Sequence, residues 1–347
     1  MLNTLIGLKF FMEEVNPTVV FKRPEVVAIE KRQKPELTEN HVLILTKKTL
    51  ISTGTELTIL KGEFPKGSAW ARYGKYPFIP GYDNVGVIVE VSHEVNRDMI
   101  GRRVATTREH AMYVCARQDE LRFIPEGVTD EQAAFFTIAE IVMNSVRRAD
   151  VKFGESVAIY GAGLLGQFAA RFCRICGARP VMVIDISNKR LEMLPHDPAI
   201  VKLNPEEVNV AGEVSRVTRG RMADVVFEVT GDPKLIPSEF ECLRRQGRFV
   251  LLSSPRGPTL FDFHDLCNSP SFTIIGTHNS SHPPFETPDN PWTAHRHCEL
   301  FFDLILSGEV EVDNLISHRV NYKNAPGVYK MLLEDRTLAM GVILDWT

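Results

Sequence analysis

The stretch S156-V-A-I-Y160-G161-A-G163-L-L-G166-Q-F-A-A170 joins a short apolar, β-branched run to an apolar helical pattern through three spaced glycines. Gly161 permits a tight turn, Gly163 lets a diphosphate approach the backbone, and Gly166 lets the helix pack closely on the strand. The positive end of the helix then faces the phosphate charge. The next apolar run, P180-V-M-V-I-D185, ends in Asp185, 19 positions after Gly166. An acid there holds the ribose hydroxyls of a dinucleotide and repels a 2′-phosphate. The pattern therefore implies NAD, with NADP second because Lys189 and Arg190 stand close by. The bland alternative is a purely structural strand–turn–helix.

Outward from this unit, strand and helix patterns alternate from 156 to about 277. Further strands are read at A223-D-V-V-F-E-V-T, G247-R-F-V-L-L-S and F272-T-I-I-G-T. Near-continuous apolar strands of this kind belong to a parallel sheet covered by helices on both faces. Residues 18–125 instead read as β-rich: T18-V-V-F, E25-V-V-A-I-E, H41-V-L-I-L-T and V85-G-V-I-V-E-V are separated by Pro, Gly and charged turns. Thr129 with Gln132 forms a capping-box pattern that opens a helix, and a second helix, H297-C-E-L-F-F-D-L-I-L-S, closes at Gly308. The fold class is α/β, with a β-rich part and a doubly wound parallel sheet.

The chain has 347 residues, 44% hydrophobic and 24% charged, with net charge −4. That length favours two domains, and the charge gives no reason to expect nucleic acid or an anionic membrane as partner. No run reaches the about 18 apolar residues of a membrane span. The opening M1-L-N-T-L-I-G-L-K-F-F-M12 lacks a basic flank and a cleavage site, so it reads as a packed or frayed terminus rather than a signal peptide. Six scattered cysteines suit a reducing cytoplasm, and Cys173 and Cys176 are expected to pack within a helix.

Several segments together resemble the medium-chain dehydrogenase/reductase superfamily of alcohol, sorbitol and threonine dehydrogenases. I51-S-T-G-T-E-L-T-I-L-K-G62 is similar to its G-x-C-G-S-D-x-H segment, and G81-Y-D-N-V-G-V-I-V-E-V91 to its G-H-E-x-x-G-x-V-x-x-V. G101-R-R-V, R147-R-A-D-V-K-F-G-E-S-V, E228-V-T-G and Q246-G-R-F-V match further landmarks. The resemblance implies a GroES-like catalytic domain over 1–146, completed by 283–347, and a Rossmann domain over 147–282. It also implies a small-molecule substrate in the cleft, a cofactor set of Gly161, Gly163, Leu165, Gly166, Asp185, Arg190 and Thr230, and a homodimer or homotetramer through the edge strand at 272–277.

The departures carry the mechanism. By position, the family's zinc cysteine becomes Thr53, its histidine Tyr82, the neighbouring glutamate Asp83 and the last ligand Thr137. Zinc needs thiolate, imidazole or carboxylate in a near-tetrahedral set. No zinc is expected, and the four-cysteine structural lobe is missing, since only Cys115 lies between Val104 and Pro125. Catalysis would then rest on Tyr82 as hydrogen-bonding acid, Asp83 as orienter or base, and Thr55 and Thr53 as hydroxyl donors. Tyr82 and Asp83 as mere filler is the alternative.

The S-T-G-T-E signature is also similar to a zinc-lacking branch that includes bacteriochlorophyllide a dehydrogenase, although the long loop 277–298 departs from it. The expected activity is NAD-dependent oxidation of a secondary alcohol on a sugar, polyol or hydroxyalkyl group. An NADPH-dependent quinone or alkene reductase and a non-catalytic NAD-binding protein are the alternatives. His278, His282, His295, His297 and Cys298 match no standard zinc spacing, leaving the loop as pocket lining or plain structure.

Overall fold

The computed structural model describes residues 15–347. The apolar opening run, with its expectation of a packed or frayed terminus, lies outside them. Strands β1 (Val15–Arg23) and β2 (Val26–Gln33) form an antiparallel pair. Strands β3 (His41–Leu50), β4 (Asn84–Val91), β5 (Arg103–Thr106), β6 (Tyr113–Arg117) and β7 (Arg122–Phe123) build the larger N-terminal sheet. Helix α1 (Thr55–Lys61) leaves the end of β3, and α2 (Phe136–Arg148) follows the capping box at Thr129 and Gln132.

The central sheet contains β8 (Val157–Tyr160), β9 (Val181–Ile184), β10 (Ile200–Leu203), β11 (Ala223–Glu228), β12 (Leu243–Leu251) and β13 (Thr273–Gly276). All pairings are parallel, in the order β10-β9-β8-β11-β12-β13. This is a doubly wound Rossmann sheet, whose ligand crevice opens where the order reverses, between β8 and β11. Helix α3 (Leu164–Ile175) follows β8, and α4 (Ala294–Leu306) packs on α2. The chain then returns as β14 (Ile316–Asn321), α5 (Ala325–Glu334) and β15 (Gly341–Asp345), and β15 pairs with β3 of the N-terminal sheet.

Helix α2 joins the two sheets because its residues are apolar on more than one side. Its buried residues share one core with Leu50 and Val85 of the N-terminal sheet and with Val157 and Val183 of the central one. Phe135, beside α2, packs on Phe168 of α3, which packs edge-on against Phe301 of α4 at 5.8 Å.

Three details differ from the sequence reading. Strand β10 carries only four residues, one of them Lys202, too short and polar an edge strand for an apolar run to announce it. Cys173 is buried, but Cys176 caps α3 and is exposed, because the helix ends one residue before it. Helix α4 begins at Ala294, capped by Thr293, and Gly308 sits just past its end with φ +75°. Among the described residues, no helix is long and apolar enough to cross a membrane.

Candidate active site and nucleotide cradle

The glycine-rich turn has the geometry its spacing implies. Gly161 adopts φ +108°, a backbone that favours glycine. A Cβ built on Gly166 would come within 2.9 Å of the Gly161 carbonyl carbon and closer still to its oxygen, so α3 can approach β8 only with glycine there. A Cβ on Gly163, the N-cap of α3, would meet nothing within 4 Å. Open space thus lies over the helix N-terminus, where a pyrophosphate would take up the free amides.

Asp185 at the end of β9 accepts the Ala162 N–H at 2.7 Å and the Ser187 N–H at 2.8 Å. Its carboxylate is therefore locked against the turn. Thr230 donates to Glu228, which also receives the Thr230 and Gly231 amides. The Arg190 guanidinium donates to the Arg336 carbonyl at 2.7 Å, tying the segment after β9 to the C-terminal return. Leu165 is half-buried in the first turn of α3. These residues fit an NAD(P) dinucleotide, with the glycines as cradle and Asp185 fixed beside it.

The second constellation forms where β3 runs into α1, β4 begins and α2 starts. The Tyr82 hydroxyl hydrogen-bonds Ser52 and makes a longer contact, 3.4 Å, to the Thr55 hydroxyl. Asp83 is fully buried and accepts the Thr137 N–H at 3.1 Å, while the Thr137 hydroxyl donates to the Tyr82 carbonyl at 2.9 Å. Four of the substituted or relay positions, Tyr82, Asp83, Thr55 and Thr137, are thus brought together. Thr53 is half-buried and is not a hydrogen-bond partner of Tyr82; Ser52, the residue before it, takes that place. The sequence motif did not single out Ser52, because a one-residue offset inside a turn is invisible without the backbone path.

Burial, reinforced by neighbouring Asp83, pushes the Tyr82 phenol above its ordinary range. Burial also pushes Asp83 well above the usual carboxylate range, against the pull of its Thr137 hydrogen bonds and with Glu140 and Glu56 adding repulsion. Burial thus disfavours the charged form of both groups. The site is a neutral phenol donor flanked by two hydroxyls, with the buried Asp83 carboxyl behind it. Two threonine hydroxyls, a phenol and a buried acid that resists ionisation do not make a zinc set. Among the described residues no cluster of three His, Cys, Asp or Glu side chains could hold a metal.

The histidine-rich loop lies along α2. Asn144 donates to Ser281 and Ser145 to Thr277, both at 2.8 Å. His282 and His297 contact each other at 3.2 Å, and burial pushes His297 down to about 3, helped by His282 and two arginines. The guanidinium groups of Arg147 and Arg296 both lie over the Trp292 ring, and His297 stacks on it. Trp292, His282 and His297 are thus engaged in anchoring the loop onto α2, while Phe285 stays exposed.

Comparisons with known proteins agree with this architecture. Residues 38–136 match the family described as alcohol dehydrogenase GroES-like domain, and residues 165–292 that described as zinc-binding dehydrogenase. Sorbitol dehydrogenase 2 of Saccharomyces cerevisiae is 24% identical over 90% of this chain and 93% of its own. D-guloside 3-dehydrogenase of Escherichia coli K12 is 24% identical over 93% and 99%. The crystal structure of a short chain alcohol dehydrogenase (rspB) from E. coli CFT073, complexed with NADH, superposes with TM-score 0.80 at 18% identity, over 96% of this chain and 99% of that one.

Proposed function

The chain belongs to the medium-chain dehydrogenase/reductase superfamily and is an alcohol dehydrogenase-like oxidoreductase of its NAD(P)-binding, alcohol–ketone chemistry; from that premise we propose that it oxidises a secondary alcohol with NAD and without zinc. The substrate class is a polyol, a sugar or a hydroxyalkyl group. The carrying observation is the Tyr82–Ser52–Thr55 hydroxyl cluster standing, with Asp83 and Thr137, at the ligand positions. The names of the relatives, sorbitol and guloside dehydrogenases, support the substrate class. Asp185, anchored on two backbone amides, supports NAD, because a 2′-phosphate there would meet a fixed negative charge.

When bound, the nicotinamide supplies hydride acceptance and donation. The chain's own groups manage the proton. The Tyr82 hydroxyl hydrogen-bonds the substrate oxygen in the cleft; as the alcohol is oxidised, the proton leaving that oxygen enters the Tyr82 hydroxyl, Tyr82 passes its own to Ser52 or Thr55, and the hydroxyl that receives it gives up its own proton to water. In reduction the order reverses. A neutral phenol suits this exchange, because it donates without first having to be reprotonated. Asp83 fixes the start of α2 through Thr137 and so holds Tyr82 from the backbone side.

The partners in this reading are the small-molecule substrate and further copies of the chain, in a homodimer or homotetramer; nucleic acid and membranes are not among them. Strand β13 at the edge of the central sheet is the joining element. The compartment is the cytoplasm.

The test is a screen of polyols, sugars and hydroxyalkyl compounds with NAD⁺ and NADP⁺, followed by nicotinamide absorbance, on protein whose metal content is measured in parallel. NAD-linked oxidation that survives chelation is expected. A stoichiometric transition metal needed for turnover overturns the zinc-free reading. Reduction of quinones or alkenes by NADPH, with no alcohol oxidised, overturns the reaction class.

A further inference from the structure

Beneath the Tyr82 hydroxyl cluster lies a carboxylate that the reaction does not touch. Glu56, at the start of α1, is 1% exposed. It accepts the Ser52 backbone N–H at 2.9 Å, the His110 Nε2–H at 3.2 Å and the Tyr329 hydroxyl. The three donors come from separate segments: the turn after β3, the loop before β6, and helix α5 of the C-terminal return. A buried carboxylate is costly to desolvate, and three convergent donors are what such a group requires.

His110 extends the reach of this carboxylate to the residue that carries Tyr82. Its backbone N–H donates to the Pro80 carbonyl at 2.9 Å. Gly81, with φ +109°, lies against it so closely that a Cβ would stand 2.6 Å from the His110 nitrogen and 2.9 Å from its ring. One carboxylate therefore ties down both the partner of the Tyr82 hydroxyl, through Ser52, and the backbone turn that delivers Tyr82, through His110.

We propose that Glu56, held by His110 and Tyr329, is the positioning residue of the Tyr82 hydroxyl relay. This rests on the hydroxyl-relay reading of the site and names the group that keeps Ser52 and Tyr82 in register. The charge acts in the same sense as the geometry. Burial first, then Asp83, and also Glu56 oppose ionisation of Tyr82, so the phenol stays a donor. The other titratable groups facing Glu56 are His110 and Tyr329, with Asp83 and Tyr73 close enough to feel its charge.

The experiment compares native full-length protein with Glu56→Gln, Tyr82→Phe and the double variant, each carrying tyrosine labelled with ¹³C at the ring carbon bearing the hydroxyl. Tyr82→Phe assigns the Tyr82 resonance by its disappearance. In Glu56→Gln that resonance is expected to move, because the hydroxyl loses its fixed partner, while NADH affinity stays within about 2-fold. Turnover is expected to fall by about 10- to 100-fold, and Glu56→Gln to cost almost nothing further in the Tyr82→Phe background, the signature of two residues acting as a unit. Should Glu56→Gln fail to fold, Tyr329→Phe removes one of the three donors and is read in the same way. A Tyr82 resonance that does not move overturns the proposal, whatever turnover does. A native protein with no dehydrogenase activity defeats the functional reading instead, and the resonance still decides the positioning.

Discussion

Two alanine substitutions three positions apart in the same glycine-rich turn should separate folding from cofactor binding. In Gly166→Ala the new methyl would stand 2.9 Å from the Gly161 carbonyl carbon, where ordinary contact begins at 3.4 Å, and nearer still to the oxygen. The clashing atoms are backbone, so no side chain can swing aside: with the oxygen the nearest of them, α3 and the end of β8 must part by more than an ångström. Overpacking of this kind costs about 1–3 kcal/mol, a fall of roughly 2–12 °C in the melting temperature of a domain this size. The same displacement moves the amides that face the pyrophosphate, so NADH binding should weaken as well.

Gly163→Ala adds its methyl to open space, from a backbone at φ −67° that any residue adopts. Its stability should therefore change by no more than about 1 kcal/mol, through the unfolded chain. Its NADH affinity should nevertheless fall, because the methyl occupies the approach of the phosphates. Thermal unfolding and NADH fluorescence titration read the two effects. If Gly163→Ala loses as much stability as Gly166→Ala, or binds NADH as tightly as the native chain, the cradle has been placed wrongly.

Other consequences follow from the same geometry. NADH should bind more tightly than NADPH, and Asp185→Ser should narrow the gap; equal affinities in the native protein would remove the ribose role of Asp185. Tyr82→Phe should lower turnover by about 10²-fold or more while leaving NADH binding unchanged, and near-native turnover would move the proton to another group. Glu239 is fully buried with neither oxygen partnered, and burial, with Glu228 and Asp232 nearby, pushes it up to about 9. Its folded value lies above its unfolded one, so the fold binds the extra proton and loses stability as pH climbs from the ordinary carboxylate range through about 9. Glu239→Gln should flatten that decline in melting temperature, and an unchanged slope would show that Glu239 ionises freely in the fold.

The cofactor half was legible from residues alone because its chemistry is local. The G161-A-G163-L-L-G166 turn, the strands on either side and the acid at 185 all lie within about one strand–helix–strand unit, where backbone sterics and period dictate the outcome. The departures Thr53, Tyr82, Asp83 and Thr137 are legible as a change of donor type, since donor chemistry is a property of residue type. What they became instead was decided only by tertiary structure. Ser52 rather than Thr53 meets Tyr82 because the turn between β3 and α1 aims one residue inward and the next aside. Glu56, His110 and Tyr329, 273 positions apart at the extremes, meet because β15 returns to pair with β3 and brings α5 beneath the site. The Asp185 carboxylate has its orientation from the Ala162 amide past the end of β8 as well as from the Ser187 amide two residues on. Sequence alone determined which atoms were on hand; which of them are buried and paired depended on contacts between segments far apart in the chain, because desolvation and hydrogen-bond geometry exist only once those segments have packed.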